Sequence, residues 1–389
     1  MKHTFAPTYK QEGGPVYLDC NATAPIEPSV RDAVVQWMTD ELGNAGSRTH
    51  EYGLRAKRAV QKAREQVAAV VDAAGDEVVF TSGATESNNL ALLGLAAHGE
   101  AAERRHIVST AIEHKAVLEP LEALEARGFS VTLLRPGQDG LVSADSLKDA
   151  LRPDTLLVSV MHANNETGSI QPLQEIAAAL EGHDAYFHVD AAQGYGKDLE
   201  PLRSKRIDLI SVSSHKVYGP VGIGALIARR RGFKRPPLKP LAYGGGQERG
   251  LRPGTLPVPL IVGLGAAAET ALREHAARQE QCRNIRRQAL AALEPLGIRM
   301  HSDPDHTLSH VINFSVTGVD SEAVMVALKD VAAVSNGSAC TSQSYSPSHV
   351  LEAMDLPQDA VTGAIRMSWS HLTPDVDWPL LAARIDALR

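Results

Sequence analysis

The sequence predicts an α/β protein, with a mainly parallel, doubly wound sheet followed by a smaller second unit. Three observations lead there. Over about 150 residues, short apolar runs of strand character alternate with segments of helical spacing. Strand after strand ends in polar or glycine-containing residues, so the ends can converge on one crevice. Pro236-Pro237 and Pro240 then stop the alternation, and the residues from about 265 onward follow a new pattern. At 389 residues the chain suits one large domain plus a smaller one. We place the large domain at 15–262 and the small one at 263–389, with residues 1–27 free to pack against the small one. There is no internal repeat or low-complexity linker, so the two parts are expected to share an interface.

Residues 1–14 read as a loose polar tail without an apolar signal segment. Val16-Tyr17-Leu18-Asp19 is a short extended run leading into Cys20-Asn21-Ala22-Thr23-Ala24-Pro25, an irregular loop. Helical spacing covers 28–40 and, after a glycine turn, about 52–72. Glu77 to Thr81 is a strand that runs through Ser82-Gly83-Ala84-Thr85 into an apolar helix. Free N–H groups at that helix start, with Thr85 and Ser87 hydroxyls, suit an anion. Strands follow at His106–Ser109, Val131–Leu134, Thr155–Val160 and Ala185–Asp190. Helices open at Glu113-His114-Lys115, at Ser143 and at Leu173. Leu209 to Val212 is the next strand and Gly224–Ala228 its return. A glycine-rich loop, Tyr243 to Thr255, precedes one long helix from about 258 into the 280s or 290s. Beyond it, His310–Ser315 and Ala364–Ser368 are strands, with helices near 321–329 and 376–388.

Composition is that of an ordinary globular enzyme: 43% apolar and 22% charged, with a formal net charge of −7. The acidic balance argues against a general polyanion-binding surface and against direct nucleic-acid binding. Arg229-Arg230-Arg231 with Lys234-Arg235 is a local basic run, read as a solvated face. No stretch approaches the roughly 20 apolar residues that span a bilayer, so the cytoplasm is the expected setting. Cys20, Cys282 and Cys340 show no pairing pattern, and the fifteen histidines show no metal-ligand spacing. No metal is expected.

One stretch concentrates chemistry. The strand ending in Ser213-Ser214-His215-Lys216 presents an amine at its carboxyl end among hydroxyl and imidazole donors. A lysine there can form a Schiff base with a carbonyl cofactor, and the neighbouring donors can hold a phosphate. Gly219, Gly222 and Gly224 let the chain turn tightly just after it.

Nine stretches in order resemble the cysteine desulfurases, pyridoxal-phosphate enzymes of the class V aminotransferase group. They are Leu18-Asp19 with Asn21 to Pro25, Thr81 to Leu90, Glu113 to Val117, and Met161-His162 with Asn164 to Gly168. Next come His188 to Ala191 with Gln193, Ser213 with His215-Lys216, Gly244 to Gly250, Gly254-Thr255, and Ser335 to Ser342. The long segment around Cys340 is similar to the iron–sulfur and nitrogenase-type subgroup.

The resemblance implies a fold type I architecture, with a mainly parallel seven-stranded sheet in the large domain and a smaller α+β domain carrying Cys340. It implies that Lys216 holds pyridoxal 5′-phosphate, Asp190 faces the pyridine nitrogen, Gln193 meets the phenolic oxygen and His114 stacks on the ring. Ala84, Thr85, Ser213 and His215 would bind the phosphate, joined across a subunit boundary by Thr255, which implies a homodimer. Pro253 stands where many relatives carry serine, removing a hydroxyl and a donor beside Thr255. Arg366 would take the substrate carboxylate, supported by Asn165, because a planar fork suits a carboxylate. Cys340, in a run of small polar residues, would be the nucleophile toward the sulfur of L-cysteine. The products would be L-alanine and a Cys340 persulfide, with Lys216 and His114 in the proton transfers. Cys282 reads as a buried structural residue, and Cys20 the same, with a minor role left open.

The acceptor of the sulfur stays open among a cluster scaffold, a DNA-phosphorothioation partner and a tRNA-thiolation partner. The chain stops soon after Arg366, which favours a specialised acceptor. Two other readings are a selenocysteine lyase or other class V aminotransferase, and a non-enzymatic sulfur-transfer scaffold. Transamination needs no thiol, and a scaffold needs neither Lys216 nor Asp190.

Overall fold

A computed structural model describes residues 14–336 and 347–389. The expected N-terminal tail lies almost wholly outside the described residues, and so does Cys340.

Strand β1 (Val16–Tyr17) is short. Helices α1 (Pro28–Thr39) and α2 (Glu51–Ala69) follow, the first opened by a proline at its start and the second capped by the His50 side chain. Seven strands then build the large sheet: β2 (Val78–Thr81), β3 (His106–Thr110), β4 (Ser130–Leu134), β5 (Thr155–Ser159), β6 (Tyr186–Asp190), β7 (Leu209–Ser213) and β8 (Gly224–Ala228). Their order is β2-β8-β7-β6-β5-β3-β4. β3 to β7 run parallel, and β8 is antiparallel to both of its neighbours. Most of these strands are buried along their whole length, which explains why they read as continuous apolar runs rather than alternating ones. The crossover helices include α3 (Ala84–Ala101), α4 (Lys115–Glu125), α5 (Ala144–Ala150) and α6 (Leu173–Ala179).

The long helix expected from about 258 is two helices, α7 (Val258–Arg273) and α8 (His275–Leu293), broken at Glu274. No proline or glycine marks the break. Glu274 has non-helical backbone angles, and its carboxylate accepts from Arg273 and Arg278. His275 and Gln279 donate to the carbonyl of Lys197. Tertiary anchoring therefore bends what local spacing would continue. Apolar residues of α7 pack into the main core with α1 and α2, while α8 belongs to a second core.

That second core covers an antiparallel sheet in the order β12-β10-β9, formed by β9 (Arg299–Met300), β10 (Val311–Ser315) and β12 (Ile365–Ser368). The N-terminal β1 pairs in parallel with β11 (Ala332–Ala333).

Of the arginine-rich run read as a solvated face, Arg230, Arg231, Lys234 and Arg235 are exposed and Arg229 is the exception. Arg229 is buried and donates to the carbonyls of Val71, Leu202, Ser204 and Ile207. Arg230 and Arg235 share Asp76, each at 2.7 Å, and Arg231 meets Asp208 at 2.6 Å. The guanidinium groups tie strand ends and loops together, using donors that a run of charges in sequence does not advertise. Among the described residues, no helix is long and apolar enough to cross a membrane.

Candidate active site

The carboxyl ends of β5, β6 and β7 and the starts of α3 and α4 surround one cavity of 460 Å³. It is lined by ten of the residues expected from sequence: Ala84, Thr85, His114, Asn165, Asp190, Gln193, Ser213, His215, Lys216 and Arg366. Thr255 is exposed and does not line it.

Lys216 closes a short turn after β7. Its Nζ donates to the carbonyl of Ala22 at 2.8 Å and to that of Asn21. The loop supplying those carbonyls is itself pinned to the lysine turn, through Ala24 N–H to His215 O and Glu27 N–H to Tyr218 O, both at 2.9 Å. The amine is thus held by neutral acceptors in a wall built from both segments. Gly224 permits the close crossing nearby: a Cβ there would lie 2.6 Å from the Cα of Gly83.

Asp190, the last residue of β6, is 5% exposed. Its Oδ1 accepts from Ala192 N–H at 2.9 Å and its Oδ2 from Asn88 Nδ2 at 2.7 Å. Both donors are uncharged, and among the described residues no cation pairs with it. Gln193 donates to the carbonyl of Asn21 at 3.0 Å, and its Oε1 is buried with no partner among the described residues. Gly194 must be glycine, because a Cβ would sit 1.9 Å from His162 Nδ1.

His114 caps α4. Its Nδ1 accepts from Ala116 N–H at 3.0 Å, which places the proton of the neutral ring on Nε2. Burial, more than any neighbour, lowers its pKa; Asp190 opposes this and Lys216 adds to it. Glu113 beside it is fully buried, accepting from Thr110 Oγ1 and Met161 N–H at 2.8 Å. Burial pushes its carboxyl up to about 8, so near neutral pH it is largely uncharged.

Ser82 and Gly83 lead into α3, which begins at Ala84 and Thr85, and Ser213 and His215 line the same cavity. His215 is pushed down to about 4, by burial first and then by Lys216 and Lys197, so it is neutral. Glu86 is engaged with Ser82 N–H and Arg252. The N–H groups of Ala84 and Thr85 lie in the first turn, where a helix has no internal acceptors for them.

Arg366 sits on β12 and is 1% exposed. Its Nη2 meets Asp19 at 2.6 Å and its Nη1 the carbonyl of Asn165 at 3.0 Å. The Asn21 side chain donates to that same carbonyl at 3.1 Å.

Cys20 and Cys282 are buried, and burial pushes both thiols up to about 12. Neither is a ready thiolate. Asn88, Glu113 and Asp19 lie within the family-like stretches of the sequence, where nothing local gives them a role. Their signal was position beside a named site residue in the fold, which a single sequence does not show.

The cavity offers one primary amine, one buried carboxylate without a cation among the described residues, a helix start with free N–H groups and hydroxyls, and one fixed guanidinium. This donor set fits a group bearing a carbonyl carbon, a protonatable nitrogen and a phosphate, together with a small carboxylate-bearing substrate.

The model of the class-V aminotransferase family matches residues 16–377. The chain is 46% identical to "Cysteine desulfurase IscS" of Anaeromyxobacter dehalogenans (strain 2CP-C), over 93% of this chain and 89% of that one. It is 43% identical to the mitochondrial cysteine desulfurase of Eremothecium gossypii, over 100% of this chain and 80% of that one. Among solved structures, DndA from Streptomyces lividans is 53% identical with a TM-score of 0.80, over 91% of this chain and 99% of that one. A structure titled "SspA in complex with cysteine" is 38% identical with a TM-score of 0.79, over 91% and 98%.

Proposed function

Because the chain belongs to the class-V aminotransferase family, and within it is a cysteine desulfurase, we propose how its own residues do this work and where the sulfur goes. The family implies pyridoxal phosphate. The observation that carries the assignment of residues is the meeting of Lys216, Asp190 and Arg366 around one cavity.

In this reading Lys216 holds the cofactor through Nζ, Asp190 faces its ring nitrogen, and His114 and Gln193 contact the ring. Ala84, Thr85, Ser213 and His215 take the phosphate. The bound cofactor supplies an electron sink for the substrate carbon. Arg366 and Asn165 orient the carboxylate of L-cysteine, so that its α-proton comes within reach of Nζ of Lys216. His114, with its proton on Nε2, serves the later proton transfer. Cys340 attacks the substrate sulfur. A sulfur–sulfur bond forms and the carbon–sulfur bond breaks, so L-cysteine and the Cys340 thiol become L-alanine and a Cys340 persulfide. The chain divides for this purpose into a large cofactor-holding part and a smaller part carrying Cys340.

Thr255, exposed and away from its own cavity, fits the phosphate of a second copy, which makes the working form a homodimer. Exposed Leu241 and Tyr243 on the same loop support this, since large apolar side chains in solvent mark contact surfaces. The expected acceptor is a partner protein in DNA phosphorothioation, a route supported by the likeness to DndA. Cluster assembly and tRNA thiolation are the alternatives. The free thiols of Cys20 and Cys282 suit a reducing compartment such as the cytoplasm.

The test is sulfide and alanine formation from L-cysteine, with persulfide on Cys340 read by mass. Lys216→Ala should abolish all three. Cys340→Ser should abolish persulfide and sulfide. Sulfide release that survives Cys340→Ser would remove the assigned nucleophile. Labelled persulfide on Cys340, followed into cell extract, identifies the acceptor by which protein collects the label.

A further inference from the structure

Asp190 is held by two donors of different kinds. The Ala192 N–H is two residues away in the same turn and moves with Asp190. The Asn88 amide is 102 residues away, on α3, and is the non-local tie. A carboxylate only accepts hydrogen bonds, so the contact at 2.7 Å must come from Nδ2, which fixes the orientation of the Asn88 side chain. Asn88 is fully buried and lines the cavity, and its Oδ1 has no partner among the described residues. It lies one helical turn beyond Ala84 and Thr85. One rigid turn of helix, about 5.4 Å of rise, therefore links the free N–H groups at the start of α3 to the buried carboxylate.

We propose that Asn88 is the positioning residue for Asp190: its amide holds the carboxylate ionised and in register with the helix start. This rests on the reading that Asp190 faces the cofactor's ring nitrogen. A neutral donor suits the task. It favours the carboxylate form through hydrogen bonding, yet leaves the negative charge uncompensated for a cationic ring. A lysine or arginine at this position would neutralise that charge. An apolar residue would leave Oδ2 buried without a donor, which favours protonation.

The experiment measures the pyridoxal phosphate dissociation constant of the apoprotein and the pH-dependent absorbance of the bound cofactor. It compares the parent chain with Asn88→Leu, Asn88→Ala, Asn88→Asp and Asp190→Ala, with melting temperature as the folding control. Asn88→Leu and Asn88→Ala should weaken cofactor binding about tenfold and shift the absorbance titration. For cysteine, kcat should fall at least tenfold while KM stays within twofold. Asn88→Asp should recover parent-like binding at low pH, where a proton shared between the two carboxyls restores the donor, and lose it as pH rises. A residue that merely fills space would not produce that pH-dependent rescue.

If Asn88→Leu binds the cofactor within twofold of the parent with the same spectrum while Asp190→Ala does not, the inference fails. An Asn88→Asp variant equally impaired at every pH overturns it too. If Asp190→Ala itself binds with parent affinity and spectrum, the reading of Asp190 fails first, and this inference with it.

Discussion

Two buried charges face the same cavity and are held in opposite ways. Asp190, at the end of a strand in the large sheet, is gripped by a neutral amide and a backbone N–H. Arg366, on the small antiparallel sheet, already has a carboxylate, Asp19, at 2.6 Å, and a carbonyl at 3.0 Å. Among the described residues the first has no direct ion pair, only these two neutral donors. The second is neutralised in advance, so an incoming carboxylate must share or displace an existing one. On the proposed assignment, in which Asp190 meets the cofactor and Arg366 the substrate, the difference has a reason: a resident group gains from a strong unmet charge, whereas a transient one needs exchange.

Four substitutions and two null controls sharpen the contrast. Asp190→Ala should have the largest effect, lowering kcat by about a thousandfold, since removing a preorganised charge aimed at the reacting centre costs most. Steady-state desulfuration measures it. Arg366→Lys keeps the charge but loses the planar fork, and should raise KM for cysteine by about 30-fold, or about 2 kcal/mol, with a smaller change in kcat. An unchanged KM would mean that Arg366 does not hold the substrate carboxylate.

Asp19→Asn leaves a buried guanidinium without its carboxylate and should lower stability by about 3 kcal/mol. Free cysteine should then raise the melting temperature of the variant more than that of the parent. Equal shifts would show that Asp19 and the substrate do not compete for one fork.

Glu113 tests the neutral side of the Asp190 corner. Its carboxyl pKa is raised from 4.5 in the unfolded chain to about 8 in the fold. The protonated form is therefore favoured by folding. Its stabilisation is complete below pH 4.5 and is lost as pH rises through about 8. Glu113→Gln should flatten the fall of melting temperature between those limits. The smallest effect is expected from Cys20→Ser and Cys282→Ser, with persulfide yield staying within twofold of the parent, because burial holds both thiols protonated.

Much of this site was legible as local pattern. Lys216 was visible because an apolar strand stops at a basic, hydroxyl-bearing turn followed by glycines. Asp190 and Gln193 were singled out by the resemblance to the desulfurases, on the stretch His188 to Ala191 with Gln193. The start of α3 announced an anion site through small residues ahead of an apolar helix. The unseen features were made by pairing. Asn88 looked like any polar residue of a helix start until β6 placed Asp190 beside it. The break at Glu274 was hidden because its cause is Arg278 together with the grip on the Lys197 carbonyl, not the local propensity of α7 and α8. Within the otherwise exposed arginine run, burial of Arg229 was hidden because sequence does not show which backbone carbonyls lie within reach.

The sequence by itself determined the order of strands and helices, the buried character of the parallel sheet and the chemical identity of the residues at its carboxyl ends. These follow from hydrophobic period and turn chemistry, which act over a few residues. Only the tertiary structure decided which charges meet. Arg366 and Asp19 are 347 residues apart, and Asn88 and Asp190 are 102 apart. A hydrogen bond depends on distances of about 3 Å and on direction, and no local rule of the chain sets either across such separations.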